Sequence, residues 1–177
     1  MPIVLDMDFL SYLYRLVGKP VVHDLPVESL ELRTYIVPIE LLRAHERVIT
    51  DHVDEVLKLI LAFLGFKHSI LVDARTFTVL DGHHRLKAAK ILGLNYVPVF
   101  FVDYAKDYVD VTTWRKNFIV NKKIVITAAL KGIQLPPKTS RHMLYGVTVH
   151  STYVALECLK KMWKHRLPYI PPTVCTN

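Results

Sequence analysis

Cysteine is nearly absent from this chain: Cys158 and Cys175 are the two thiols in 177 residues. Neither stands in the paired spacing of a zinc or iron–sulfur site. A reducing cytoplasm is the compartment such cysteine usage suggests. Side-chain amides are equally scarce, with Gln134 the single glutamine beside four asparagines, a composition that points toward a thermophile. No apolar run approaches the ~20 residues of a membrane span. The opening, MPIVLDMDFL, carries acids where a secretion signal needs positive charge. No consecutive block of Lys and Arg is long enough to form a nucleic-acid-binding arm.

What the chain does have is apolar residues, 51% against 22% charged, so it buries a core instead of remaining disordered. Its net charge of +7 favours an anionic partner: nucleic acid, nucleotide or membrane surface. Apolar spacing predicts a helix over 5–17, ended by Gly18-Lys19-Pro20, and another after Thr50 or Asp51, either of which suits a cap. In the second, Val53, Val56, Leu57, Ile60, Leu61 and Leu64 form one stripe, with Gly65 as the stop. Strands are expected at Arg33–Val37, Ser69–Asp73, Thr76–Leu80, Tyr96–Asp103 and Val109–Thr112, and helices after Gly82, over 121–131 and over Ser151–His165. A Pro-rich tail closes the chain. Interleaved helices and strands imply an α+β fold with a small mixed sheet flanked by helices. We expect one domain over 1–177: an N-terminal helical extension over 1–32, a core over 33–145, and a C-terminal helix and tail over 146–177.

The stretch VLDGHHRLKAAKILG, residues 79–93, puts an acid, a glycine, two histidines and an arginine at the mouth of a helix. A helix start exposes unpaired N–H groups and partial positive charge, so cations there are poor structural choices. They become favourable if an anion binds between them and the amides. Gly82 lets the backbone approach such a ligand, and Asp81 suits Mg²⁺ beside a phosphate. The pattern reads as a phosphate cradle with a metal ligand. The alternatives are that Asp81 merely caps the helix, or that the histidines bind zinc, for which adjacent helical positions are badly placed.

Two further clusters are polar. In LLRAHERVI, 41–49, Glu46 could act as a general base and Arg43 or His45 could place an anion; the bland reading is a surface helix junction. In PPKTSRH, 136–142, Lys138, Thr139, Ser140, Arg141 and His142 are five consecutive donors that suit a carboxylate or phosphate, or form a solvated loop. Trp114, in VTTWRKN, is either core or a pocket wall, and core is the default for an isolated Trp.

Taken in order, the HE pair with its amphipathic helix, the DGHHR turn with its apolar strand, VTTWRKN and PPKTSRH resemble the archaeal free L-serine kinases of the ParB/sulfiredoxin superfamily. The resemblance runs from about Tyr35 to Leu144. It disfavours sulfiredoxin, because no cysteine lies at the turn, and ParB, because the Arg-rich signature and a helix-turn-helix are missing. It implies transfer of a phosphoryl group to free serine in serine and cysteine metabolism. It assigns Glu46 as base and Asp81 as the magnesium-side acid. Gly82, His83, His84 and Arg85 would hold the nucleotide phosphates, with His83 or Arg85 offsetting charge in transfer. Lys138, Thr139, Ser140, Arg141 and His142 would hold serine, with Trp114 lining that pocket. ADP-using members carry a long insertion before the last motif; its lack here favours ATP over ADP, with Mg²⁺. The competing class is a ParB-like nucleotide- or DNA-binding regulator. Serine and nucleotide are the partners implied, with neither nucleic acid nor membrane.

Overall fold

The structure is a computed structural model in which residues 32–150 and 153–161 are described. The helix expected over 5–17, the Pro-rich tail and Trp163 lie outside these residues. Four strands form the central mixed sheet in the order β1-β5-β3-β4: β1 Thr34–Pro38, β3 Ile70–Asp73, β4 Val79–Asp81 and β5 Tyr96–Val102. β5 runs antiparallel to β1 and parallel to β3, and β3 is antiparallel to β4. This is the small mixed sheet that the interleaved pattern implies.

The sheet is buried on both faces. Along β5, Val97, Val99 and Phe101 join one apolar cluster while Phe100 and Val102 join another, the two-residue period of a strand packed from both sides. On the first face lie helices α1 (Thr50–Ala62) and α2 (His83–Ile91), contributing Ile60, Leu86, Ala88 and Ala89. On the second lie helix α3 (Lys122–Lys131), through Val125 and Ile126, and the two-stranded ribbon of β6 (Val109–Thr112) and β7 (Arg141–Leu144). A short pair, β2 (Gly65–Phe66) with β8 (Val154–Ala155), leads into α4 (Leu156–Lys161).

Several expectations are corrected in detail. Neither Thr50 nor Asp51 caps α1; the cap position is Ile49, without a side-chain bond. Leu64, at φ 52°, takes the left-handed turn after α1, so Gly65 is not its stop. Gly65 is needed for another reason: a Cβ there would lie 2.6 Å from the Tyr153 ring and the Val154 carbonyl. Leu61 and Leu64 are exposed and leave the α1 stripe to Val53, Val56, Leu57 and Ile60. Where a continuous final helix was expected from Ser151, Val154–Ala155 is a strand, and Val154, Leu156 and Leu159 belong to the main core. Cys158 is disulfide-bonded, which the reading of a reducing compartment did not anticipate. Among the described residues no helix is long and apolar enough to cross a membrane.

Candidate active site

β4 delivers the chain to Gly82, which turns it into α2 with φ 100°. A left-handed φ is cheap only without a Cβ, and a Cβ here would come 3.1 Å from Arg85 Nε. Gly82, not Asp81, holds the cap position, and no side chain caps the helix. The first backbone bond of α2 runs from Leu86 N–H to the Gly82 carbonyl, so the amides of His83, His84 and Arg85 precede the helical ladder. No acid stands in the first turn to offset the dipole. Asp81 Oδ2 instead accepts from Arg85 Nη2 at 2.8 Å, with the aspartate side chain 70% exposed. Arg85 Nη1 also donates to the Ser69 carbonyl.

The segment before α1 is not a surface junction. It threads between two others: Arg43 N–H donates to Phe77 O and its carbonyl accepts from Val79, while the His45 carbonyl accepts from Leu135 and Arg47 N–H donates to Leu135 O. This seats Glu46 against the 138–140 loop. Glu46 Oε1 accepts from Lys138 N–H at 2.6 Å, and Oε2 accepts from Ser140 N–H and Ser140 Oγ, both at 2.9 Å. Lys138 bends the loop at φ 60°. Thr139 is buried and donates its hydroxyl to Pro136 O, so it shapes the loop. Arg141 and His142 are the first residues of β7 and are not loop residues.

Three histidines meet behind this surface. His45 is fully buried, its ring centroid 4.6 Å from that of His83 and 6.2 Å from that of His142. His83 Nε2 accepts from His45 N–H, and His142 Nε2 pairs with Tyr104 Oη at 2.8 Å. Burial favours the neutral rings: His45 is lowered to about 4, His142 to about 3 and His83 well below its ordinary value. His45 therefore carries no charge with which to place an anion, and Arg43 Nε is bonded to Thr76 O. His84 turns toward α1, its Nε2 accepting from Ile49 N–H at 3.2 Å.

Two openings flank the start of α2. One, of about 470 Å³, is lined by Asp81, Arg85, Trp114, Ser140, Arg141 and His142. Trp114 is 59% exposed with the Arg141 guanidinium 4.1 Å above its ring, so it is a pocket wall and not core. The other, of about 460 Å³, is lined by Glu46, His83, Arg47, Lys87, Lys90 and Gln134. Ser140 joins the two, lining the first and bonding the carboxylate that lines the second. The three distant motifs thus share one surface. Sequence reading missed Lys87 and Lys90, although their i, i+3 spacing after Gly82 puts them on one helix face. It also missed Ser69, which gives no motif signal.

No group of three or more His, Cys, Asp or Glu side chains could hold a metal among the described residues, which leaves the zinc reading without support. Magnesium needs less, because it keeps waters and leans on one or two carboxylates plus substrate phosphates. The exposed Asp81 beside the open amides of α2 fits that demand.

This geometry defines a small α+β protein built on a strand–glycine–helix turn with an open, cation-lined cleft. No protein-family profile matches the chain. It is 39% identical over 75 residues to a ParB-like protein of Sulfolobus acidocaldarius, and 34% identical over 55 residues to an ATP-dependent L-serine kinase of Desulfurococcus mucosus. These stretches are 42% and 31% of this chain, and 37% and 22% of the relatives' own lengths. Among solved structures, a free serine kinase in complex with AMP superposes with a TM-score of 0.63 at 15% identity, over 77% of this chain and 97% of that one. A variant of that kinase in complex with ADP gives 0.64 at 13%, over 77% and 98%. The chain therefore has the fold of the free serine kinases.

Proposed function

We propose that this chain is a nucleotide-dependent kinase that phosphorylates free L-serine to O-phospho-L-serine. The observation that carries the reading is Glu46. Its carboxylate is fastened to the 138–140 loop and faces the basic opening at the start of α2. The shared fold and the relative named an ATP-dependent L-serine kinase support it.

In this reading the nucleotide phosphates bind the backbone amides of residues 82–85 and the Arg85 guanidinium, and the serine carboxylate meets Arg141, whose fork suits a planar anion. Phosphoryl transfer needs alignment and charge stabilisation more than covalent help from the protein. A bond forms between the serine hydroxyl oxygen and the terminal phosphorus, and the bond to the departing nucleotide oxygen breaks. Glu46 takes the hydroxyl proton. Its Oε2 accepts two hydrogen bonds and Oε1 one, so Oε1 has the lone pair with which to take it. Asp81 would hold Mg²⁺, which neutralises phosphate charge when bound. Arg85 stands beside the transferred group to offset its charge. ATP is the donor favoured by the relative's name and by the absence of an inserted lobe between Trp114 and Pro137. The product then feeds serine and cysteine metabolism.

Purified protein given Mg²⁺, serine and either ATP or ADP should form O-phosphoserine, read by mass spectrometry. The match to a ParB-like protein favours a second reading, a nucleotide- or DNA-binding regulator. Salt-dependent DNA binding with no O-phosphoserine would select it.

A further inference from the structure

His45 has no part in the mechanism above, yet it lies at the centre of the site. Its Nε2 is 2.9 Å from Ser140 Oγ, and Ser140 Oγ is 2.9 Å from Glu46 Oε2. Proton counting orders this string. An ionised carboxylate can only accept, so the single Ser140 hydroxyl proton points to Glu46. The serine oxygen must then accept from His45, which places that ring's proton on Nε2. Nδ1 is then left without a proton, and it makes no hydrogen bond at ordinary distance. The Val79 carbonyl beside the ring favours a ring N–H pointed at it and opposes the effect of burial, so it competes with Ser140 for the single ring proton, and the tautomer is the quantity that decides between them. The ring is held on its other sides: His83 packs edge-on against it and receives its backbone N–H.

We propose that His45 is a positioning residue that acts on Glu46 through Ser140, by donating Nε2–H to the serine hydroxyl and so committing that hydroxyl's proton to the carboxylate. The string holds Oε2 as a permanent acceptor and presents Oε1 to the proton of the incoming alcohol. The catalytic consequence rests on Glu46 being the base; the order of protons along the string does not, and is measurable without turnover.

The ring ¹⁵N resonances of the wild-type protein at pH 7, with His45 assigned by its loss in His45→Gln, give the first test. The Nε2–H tautomer is expected, and Nδ1–H would overturn the proposal. The second is a double-mutant cycle on kcat for O-phosphoserine formation. His45→Met and Ser140→Ala should each lower kcat several-fold with the nucleotide KM unchanged, while His45→Gln, which keeps a donor near Nε2, should stay close to wild type. The double variant His45→Met/Ser140→Ala should lose no more than Ser140→Ala alone. Additive losses, or equal losses in His45→Gln and His45→Met, would overturn the proposal. If His45→Met does not fold, the tautomer decides. Absence of O-phosphoserine from wild-type protein would refute the kinase reading and leave the tautomer test standing.

Discussion

The Arg141 guanidinium lies over the Trp114 ring, 4.1 Å from its centroid, and both residues line the opening that also holds Asp81 and Arg85. A hydrogen bond to a charged group contributes about 1.5–3 kcal/mol. Arg141→Ala should therefore raise the serine KM by roughly tenfold or more, with a much smaller change in the nucleotide KM. Steady-state kinetics with each substrate varied would check this, and equal effects on both constants would remove Arg141 from the serine pocket. The buried histidines make a different prediction. His45 is held at about 4 when folded and titrates near 6.5 when unfolded. Between those values the unfolded chain binds more protons, so stability rises with pH across the window and falls as pH drops through it. The loss from His45 alone is on the order of 3 kcal/mol by pH 4. Urea midpoints at pH 7, 5.5 and 4.5 should decline steadily, and a flat profile would contradict neutral burial of the cluster. At this scale Asp81, Gly82, Arg85 and Arg141 were legible, because an acid, a glycine or an arginine in that position has few structural uses. His45 was not. Nothing in the order of residues tells a buried ring from one on the surface.

Elements with a strong period were read nearly as they stand. β5 is buried at every position and α2 is fixed between Gly82 and Gly93, whose φ is 67°. Asn121 caps α3 by accepting from Ile124 N–H, and Gly132 ends it with φ 69°. β7 and β8 escaped notice because Arg141–Leu144 and Val154–Ala155 carry no alternation and become strands only by pairing with β6 and β2. The strand–glycine–helix junction carries its own prediction. Gly82→Ala forces a Cβ into a left-handed position, costing roughly 1–2 kcal/mol, and crowds Arg85, whose guanidinium holds both Asp81 and the Ser69 carbonyl. The variant should fold with a modestly lower denaturation midpoint but lose nucleotide affinity well beyond that, measured by calorimetry. Unchanged nucleotide affinity would move the phosphates away from this turn.

At the scale of the whole molecule, the cleft depends on segments that no local pattern connects. Residues 43–47 run between the β4 approach and residue 135, bridging Arg43 to Thr78 and Glu46 to Leu135. Glu46 and Ser140 are 94 positions apart and touch only because of that threading. The resemblance implied one shared site for the motifs, and the threading of residues 43–47 is what brings them onto one surface. The net charge of +7 gains a use there, since Arg47, Lys87 and Lys90 ring the opening that Glu46 faces. Glu46→Gln tests the central claim most directly, because it keeps the shape of the side chain and removes its basicity. Turnover to O-phosphoserine should fall by at least ~10²-fold, with nucleotide affinity by calorimetry close to wild type. Turnover within a few-fold of wild type would contradict the account.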